Sequence, residues 1–587
     1  MWGKMMLMQK WPSIDLDAYR QIGDPDVDRL VAEVLPDQQG ESSGRFAYNA
    51  LLLLADKLME APELAVIEDS RLSRQLKSMP KPLADYYDPM EVPDWVDSAK
   101  LSMGAKLWQE NTLITLITLY AASLPACYLM KNGIPALYQT EKLREKKYIF
   151  QRIYETGLML AATMDQGGIK IVEDAEFEDD RFLLEVLQKL DSEGQWQRQG
   201  RCCCRTAGNS KTPIDPALIR AEIEKLRGKP KRYLWGKGYI AAKKVRFLHA
   251  SMRFMLTQPG ACRAWGNKEN PQSLAETMSH RKSPWDTERY GVPVNQEDLA
   301  YTLLTFGLVI PRGLETWGLP LSLEQKEAFL HLWRLIGYIM GVDQTLLTDK
   351  WDEALALYET IQQRQAGPSD EGVVLTDALM GFLGDYMPHL PGLAHRLSAA
   401  MIINQLGMEH ASFILDETLI KETRKFWRWP IYKVAAKSFR GYLIMREKVF
   451  KRFKYLGGLT VNRMHEASEL LIDSWQDGYS RKPFFVPADA STWVRAPGID
   501  EDFLSLLRQW RRKLFANIGI GLLFLIIAMF GLMASVPIGL VSGWAAFKAT
   551  LIVAVSSWGI SLAWMQFRLP VVFKMRPDNE DFFSAYR

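Results

Sequence analysis

The sequence predicts an all-α protein that ends in a membrane-spanning helical hairpin. Three observations predict it. Apolar residues recur at helical spacing through most of the chain. Sustained period-two alternation is scarce. Two uncharged runs near the C-terminus, Leu514 to Ala534 and Ala549 to Phe567, are long enough to cross a bilayer core. At 1.5 Å rise per residue they would reach about 31 and about 28 Å.

The elements follow in chain order. TLITLITLYAASLPACYLM, from Thr112 to Met130, is long enough to span a membrane, but its hydroxyls and Pro125 favour a buried core helix ending near that proline. QRIYETGLMLAATM, from Gln151, reads as a helix entered from the charged stretch EKLREKK. The pattern weakens between Gly168 and Lys243. Ile169 to Leu190 suits one acidic helix, and Gly194 to Pro213 suits a mobile loop. KKVRFLHASMRFML, from Lys243 to Leu256, puts Val245, Leu248, His249, Met252 and Leu256 on one helix face. Arg246 and Arg253 lie one turn either side of the histidine. Asn295 caps the helix in GVPVNQEDLAYTLLTFG, and Ser322 with Gln325 forms a capping box. Phe329, Leu332, Trp333, Ile336 and Met340 then repeat at helical spacing.

The segment from Arg424 to Lys454 carries eleven lysines and arginines against Glu447 alone, with Phe426, Trp427, Trp429, Tyr432, Phe439 and Tyr442 interleaved. It reads either as a solvated face or as a surface lying on anionic lipid headgroups. Pro483 to Pro497 reads as a linker. In the hairpin, Pro537, Gly539 and Gly543 suit the turn, and Trp544 and Lys548 suit the interface. Arg508, Arg511, Arg512 and Lys513 precede the first span, and Arg568, Lys574 and Arg576 follow the second. The positive-inside rule therefore puts both ends, and the large N-terminal part, in the cytoplasm (at the inner membrane if the source is bacterial). The expected organisation is a helical domain over 1–480 with an insert at about 169–242, a linker at 481–510, two spans within 511–570 and a tail at 571–587.

Composition excludes several classes. With 72 basic and 69 acidic residues in 587, a formal +3, the chain is no general nucleic-acid binder. The five cysteines include the run Cys202–Cys204 but no CxxC and no CxxCH, so zinc and covalent c-type haem are poorly served, and a reducing compartment is expected. HExxH, GxSxG, the P-loop and the dinucleotide fingerprint are all missing. Of the seven histidines, His249 sits on a greasy face between two arginines. On spacing alone it is either a packed core histidine or a ligand.

KVRFLHASMR resembles the haem-ligand helix of the rubber oxygenase family, which includes latex-clearing proteins and the fungal oxygenase of mycophenolic acid biosynthesis. Other stretches agree in order. GDPDVDRLV is similar to the family's opening helix. SLPACYLMKNGIPALYQTEKL and RIYETG resemble the next segments. WDTERYGVPVNQEDLAYTLLTFGLVI and LSLEQKEAFLHLWRLIGYIMGVDQTLL resemble later helices. The resemblance covers roughly Trp11 to His410. It implies a globin-like helical core binding one haem b, with His249 as the iron ligand. It also implies an O2-dependent oxidoreductase.

Arg246 and Arg253 match arginines flanking the ligand; pairing with the haem propionates is expected of them. Arg152 and Thr156 match the family's Arg-x-x-x-Thr pair on the distal side. Glu155 stands where latex-clearing proteins can carry a lysine. Glu141 is the nearest counterpart of an upstream glutamate proposed as a base. The long insert and the cytoplasmic orientation point away from extracellular rubber. A membrane-dissolved isoprenoid or other lipid, oxidatively cleaved at a C=C bond, is the expected substrate class. A non-catalytic haem-binding or sensing membrane protein is the alternative, and a haem-free helical scaffold is a third reading.

Overall fold

The computed structural model describes residues 15–34, 85–138, 149–173, 231–258, 285–386, 390–453 and 501–575, with short pieces near 51–59 and 458–495. Glu141, the Cys202–Cys204 run, most of the acidic helix expected after Ile169 and the three linker prolines lie outside the described residues. Among those described, helices dominate. The ones that position the site are α1 (Leu16–Arg20), α2 (Pro25–Val34), α3 (Ser98–Thr118), α4 (Ile149–Met164), α5 (Lys237–Thr257), α6 (Gln296–Gly307), α7 (Val309–Trp317) and α8 (Leu323–Ile339). Behind them come α9 (Trp351–Gln365), α10 (Asp370–Tyr386), α11 (Pro391–Leu406), α12 (Met408–Ile414) and α13 (Trp429–Arg452). The chain then forms α14 (Glu501–Ser542) and α15 (Trp544–Ala563).

The fold is mostly helical rather than purely so. Strands β1 (Met90–Glu91), β2 (Lys170–Glu173) and β3 (Arg232–Trp235) form an antiparallel sheet in the order β1-β3-β2. Ile171 pairs with Leu234 and Val172 with Tyr233. A second pair joins β4 (Tyr479–Arg481), at the expected end of the helical domain, to β5 (Trp493–Arg495) within the expected linker. Strands of two to four residues are too short for alternation to register, which is why an all-α reading misses them.

The expected caps are present. Asn295 accepts from the backbone N–H of Asp298, and Ser322 and Gln325 close a reciprocal capping box. The apolar run from Thr112 is buried as expected: α3 passes through a π-helical segment, Leu119–Ser123, into a short helix ending at Cys127. Trp108, Phe247, Tyr301, Phe329 and Trp333 are its neighbours in one core and are almost fully buried. The N-terminal segment is stapled to this core by charge. Arg20 donates to Glu297 at 3.0 Å and to Asp298 at 3.3 Å, and Arg364 reaches Glu297 at 3.0 Å. Glu297 is fully buried, so its charge is tolerable only because two guanidinium groups and the Gln365 amide surround it.

At the C-terminus α14 and α15 form the expected hairpin, and both are long and apolar enough to cross a membrane. Its turn is tight, as expected, but only the last of the three residues expected in it makes it. Pro537 and Gly539 remain inside α14, and the reversal is made at Gly543, whose φ of +85° suits glycine. Ser561 Oγ donates to the Gly521 carbonyl at 2.8 Å across the pair. Large apolar side chains face outward, with Phe530 57 % and Ile552 64 % exposed. Phe515, near the start of the uncharged run, packs against the main core.

Candidate functional site

The site is built where α4 and α5 meet. α4 leads into β2, and β3 leads into α5. Because β2 and β3 are antiparallel, the two helices leave the sheet side by side and run in opposite chain directions. They touch most closely at Gly238, where a Cβ would lie 2.5 Å from the Ala162 carbonyl oxygen and 2.8 Å from the Thr163 Cα. Glycine is required there for the helices to approach. The Gly238 N–H also donates to the Gly168 carbonyl at 2.7 Å, closing the ends of the long insert.

Register along the pair follows from this contact. His249 lies eleven residues beyond Gly238, and Arg152 lies ten before Ala162. At 1.5 Å per residue both lie about 15 Å along their own helices from this contact. Thr156, one turn closer to the contact, is half-buried. The side chains of Arg152 and Glu155, on the same helix, lie outside the described residues.

α5 has two unlike faces. Tyr239, Phe247, Ala250 and Phe254 are buried in the core. Val245, Leu248, His249 and Met252 form a strip that is only half-buried, and the Nδ1 atom of His249 on it is sealed from solvent. The strip is apolar on both sides of the imidazole, with Val245 and Leu248 before it and Met252 after it.

Arg246 and Arg253, expected to face haem propionates, have carboxylate partners within the chain. Arg246 Nε lies 2.5 Å from Asp24 Oδ2, and its Nη2 lies 2.8 Å from Oδ1. Arg253 Nε takes both oxygens of Asp28 at 2.8 and 3.0 Å, and its Nη1 donates to the Val294 carbonyl at 2.9 Å. Both guanidinium groups are therefore already committed to α2 and the loop before it. The reason is the register of GDPDVDRLV: Asp24 and Asp28 are one turn apart, and Val27 and Val31 bury the same segment against the core. The two arginines tie α5, the helix that carries His249, to α2 and the loop before it. Asp24 and Asp28 are the residues the sequence reading overlooked. Their spacing is visible in the chain, but which helix they face is not.

Other polar groups near α5 are structural. Lys243 is buried with its ammonium 4.3 Å from the centre of the Tyr86 ring, and burial, with Arg246 nearby, pushes it down to about 8. His331 is fully buried. Its Nε2 accepts the Asp97 backbone N–H at 3.0 Å, which puts the ring proton on Nδ1, facing Asp349 at 2.9 Å. A cavity of about 460 Å³ lies between α7, α9, α11 and α12, lined by Arg312, Tyr358, Gln362 and His410 among others. None of the residues singled out around His249 lines it. No cluster of three metal-binding side chains occurs among the described residues.

Residues 234–436 match the family model described as ER-bound oxygenase mpaB/B'/Rubber oxygenase, catalytic domain. The match takes in α5 with His249 and ends inside α13; α4, with Arg152, Glu155 and Thr156, lies before it. The rubber oxygenase of Streptomyces sp. (strain K30) is 24% identical over 197 residues, 33% of this chain and 42% of that protein. The chain thus spans less than half the length of this curated relative. The solved structure of latex clearing protein LCP in the closed state aligns with a TM-score of 0.43 at 16% identity, over 73% of this chain and 84% of that one.

Proposed function

We propose that this chain, a distant relative of the mpaB/rubber oxygenase catalytic-domain family, is a membrane-anchored haem b oxygenase acting with O2 on an apolar, isoprenoid-like or other lipid substrate. The observation that carries the reading is His249 at the centre of the half-buried apolar strip of α5, inside the matched region. When bound, haem supplies the O2 chemistry; the protein supplies binding, orientation and exclusion of water.

Within that division His249 holds the iron, and Val245, Leu248 and Met252 keep its surroundings dry. The Asp24–Arg246 and Asp28–Arg253 pairs fix the rotation of α5. Arg152 and Thr156, a turn apart on α4, are the groups for orienting oxygen or substrate by hydrogen bonds. Glu155 either serves there as a base or faces water. Oxidative cleavage of a C=C bond into two carbonyls consumes both atoms of one O2, so the overall balance needs no external reductant. The hairpin α14–α15 supports a membrane anchor with the helical domain on the cytoplasmic side.

The test is the absorption spectrum of the full chain purified in detergent after haem-replete expression. A Soret band is expected, and its absence sinks the proposal. His249→Ala should lose the haem while keeping the far-UV circular dichroism; full haem occupancy in that variant refutes the ligand assignment. A haem-free helical scaffold is the second reading, favoured by the commitment of Arg246 and Arg253 to carboxylates. The same spectrum separates the two. Oxygen uptake with lipid extracts separates an oxygenase from a haem-binding sensor.

A further inference from the structure

α13 presents a cationic strip that no carboxylate among the described residues neutralises. Lys433, Lys437, Arg440, Ile444, Lys448 and Lys451 follow one another at steps of three and four, which puts them on one helix face, and all six are exposed. The opposite face is anchored: Leu443 is in the core, with Trp429, Phe439 and Tyr442 packed against it. The nearby acids are spent elsewhere. Glu422 takes Lys425 and Arg428, and Glu447 takes Arg446. Among the described residues none of the five cations on the strip is in an ion pair.

Apolar side chains are exposed within and beside the same strip. Phe426 is 88 % exposed and Trp427 52 %, just before the helix; Ile431, Ile444, Met445 and, just after it, Phe453 are also exposed. Twenty-four residues make a helix about 36 Å long. Cations alone would suit any polyanion. Cations interleaved with exposed aromatic and aliphatic groups along such a length suit a surface that is both anionic and apolar. Position favours the same partner. α13 packs against α14, and Phe515 of α14 enters the same core as Phe439 and Tyr442. Phe515 lies two residues beyond the basic run Arg511, Arg512 and Lys513, the flank expected at the headgroups.

We infer that α13 is a docking helix for anionic phospholipid, holding the helical domain down on the bilayer that α14 and α15 enter. This rests on reading that hairpin as membrane-spanning. Bilayer contact sets how the domain lies on the membrane and would hold it where an apolar substrate is dissolved. Each cation near an anionic surface contributes enough that its loss weakens the contact about fivefold.

The test uses the full chain reconstituted in vesicles of phosphatidylcholine alone and in vesicles with about 30 % phosphatidylglycerol. A nitroxide on Ile444→Cys reports collisions with O2 and with a water-soluble nickel chelate, against wild type labelled in the same way. In the anionic vesicles O2 collisions should rise and nickel collisions fall severalfold relative to phosphatidylcholine. Adding Lys433→Glu, Lys437→Glu, Lys448→Glu and Lys451→Glu, or salt at about 1 M, should restore the water-like signal. A water-like signal in both vesicles overturns the inference, as does a lipid effect unchanged by charge reversal. A nitroxide on Phe530→Cys reads the hairpin separately. A watery signal there counts against the spans, while Ile444→Cys still decides the docking.

Discussion

Arg246 and Asp24 meet in a two-point ion pair, 2.5 and 2.8 Å, three residues before His249 on α5. Asp24 is 4 % exposed and Arg246 12 %, so the pair is largely desolvated. Removing one partner strands the other charge. Asp24→Ala should therefore cost about 3–5 kcal/mol, measured as a shift in the denaturation midpoint. On the proposed function, Asp24→Ala should also disturb haem retention by loosening α5. An unchanged midpoint with unchanged haem content would show that the clamp is dispensable.

Gly238 tests the helix contact without touching a polar group. Any side chain there meets the Ala162 carbonyl, so Gly238→Val should push α4 and α5 apart. Overpacking of this kind costs about 1–3 kcal/mol. On the proposed function, the haem-to-protein ratio should then fall even though His249 is intact. Full occupancy and a wild-type melting temperature would mean that the α4–α5 spacing does not shape the site.

Asp298 gives a pH prediction with a definite sign. Burial, with Glu297 adding to it against the pull of Arg20, raises this carboxyl from 3.8 to about 6. Between those values the native state holds a proton that the unfolded chain releases. This group therefore favours the native state in acid, and that contribution is lost as pH rises through about 6. Asp298→Asn keeps the shape and removes the titration. Relative to wild type it should gain up to about 3 kcal/mol between pH 4 and pH 7, read from urea unfolding at each pH. A pH-independent difference between the two proteins would contradict the burial argument.

Asp349 has the opposite sign. The hydrogen bond with His331 holds its carboxyl well below the ordinary range, helped by Lys100 and Arg334 and opposed by burial. A depressed carboxyl stabilises above its unfolded value and loses that contribution as pH falls. Asp349→Asn should cost about 1–3 kcal/mol at pH 7 and less below pH 4. Thermal unfolding across that range checks it, and an equal loss at both ends would refute the assignment.

The linear sequence carried the parts whose signals are local. The caps at Asn295 and Ser322, the course of α4 and α5, the exposed basic stretch of α13 and two spans' worth of uncharged residues depend on neighbours a few positions apart. So does the pattern around His249. The short strands escaped because a pair of residues has no period. Pro537 was read as part of the hairpin turn because proline disfavours a helix interior, yet α14 continues through it and only Gly543 makes the reversal.

What only the tertiary structure decided was partnership. Arg246 and Arg253 offer the same two forks to a propionate or to an aspartate, and nothing within α5 chooses between them. The choice is made more than two hundred residues away, where Val27 and Val31 bury α2 and bring Asp24 and Asp28 within reach. Helical periodicity depends on local geometry, so the chain alone specifies it. Ion pairing between distant segments depends on which apolar faces bury together, and that is fixed only when the whole core closes.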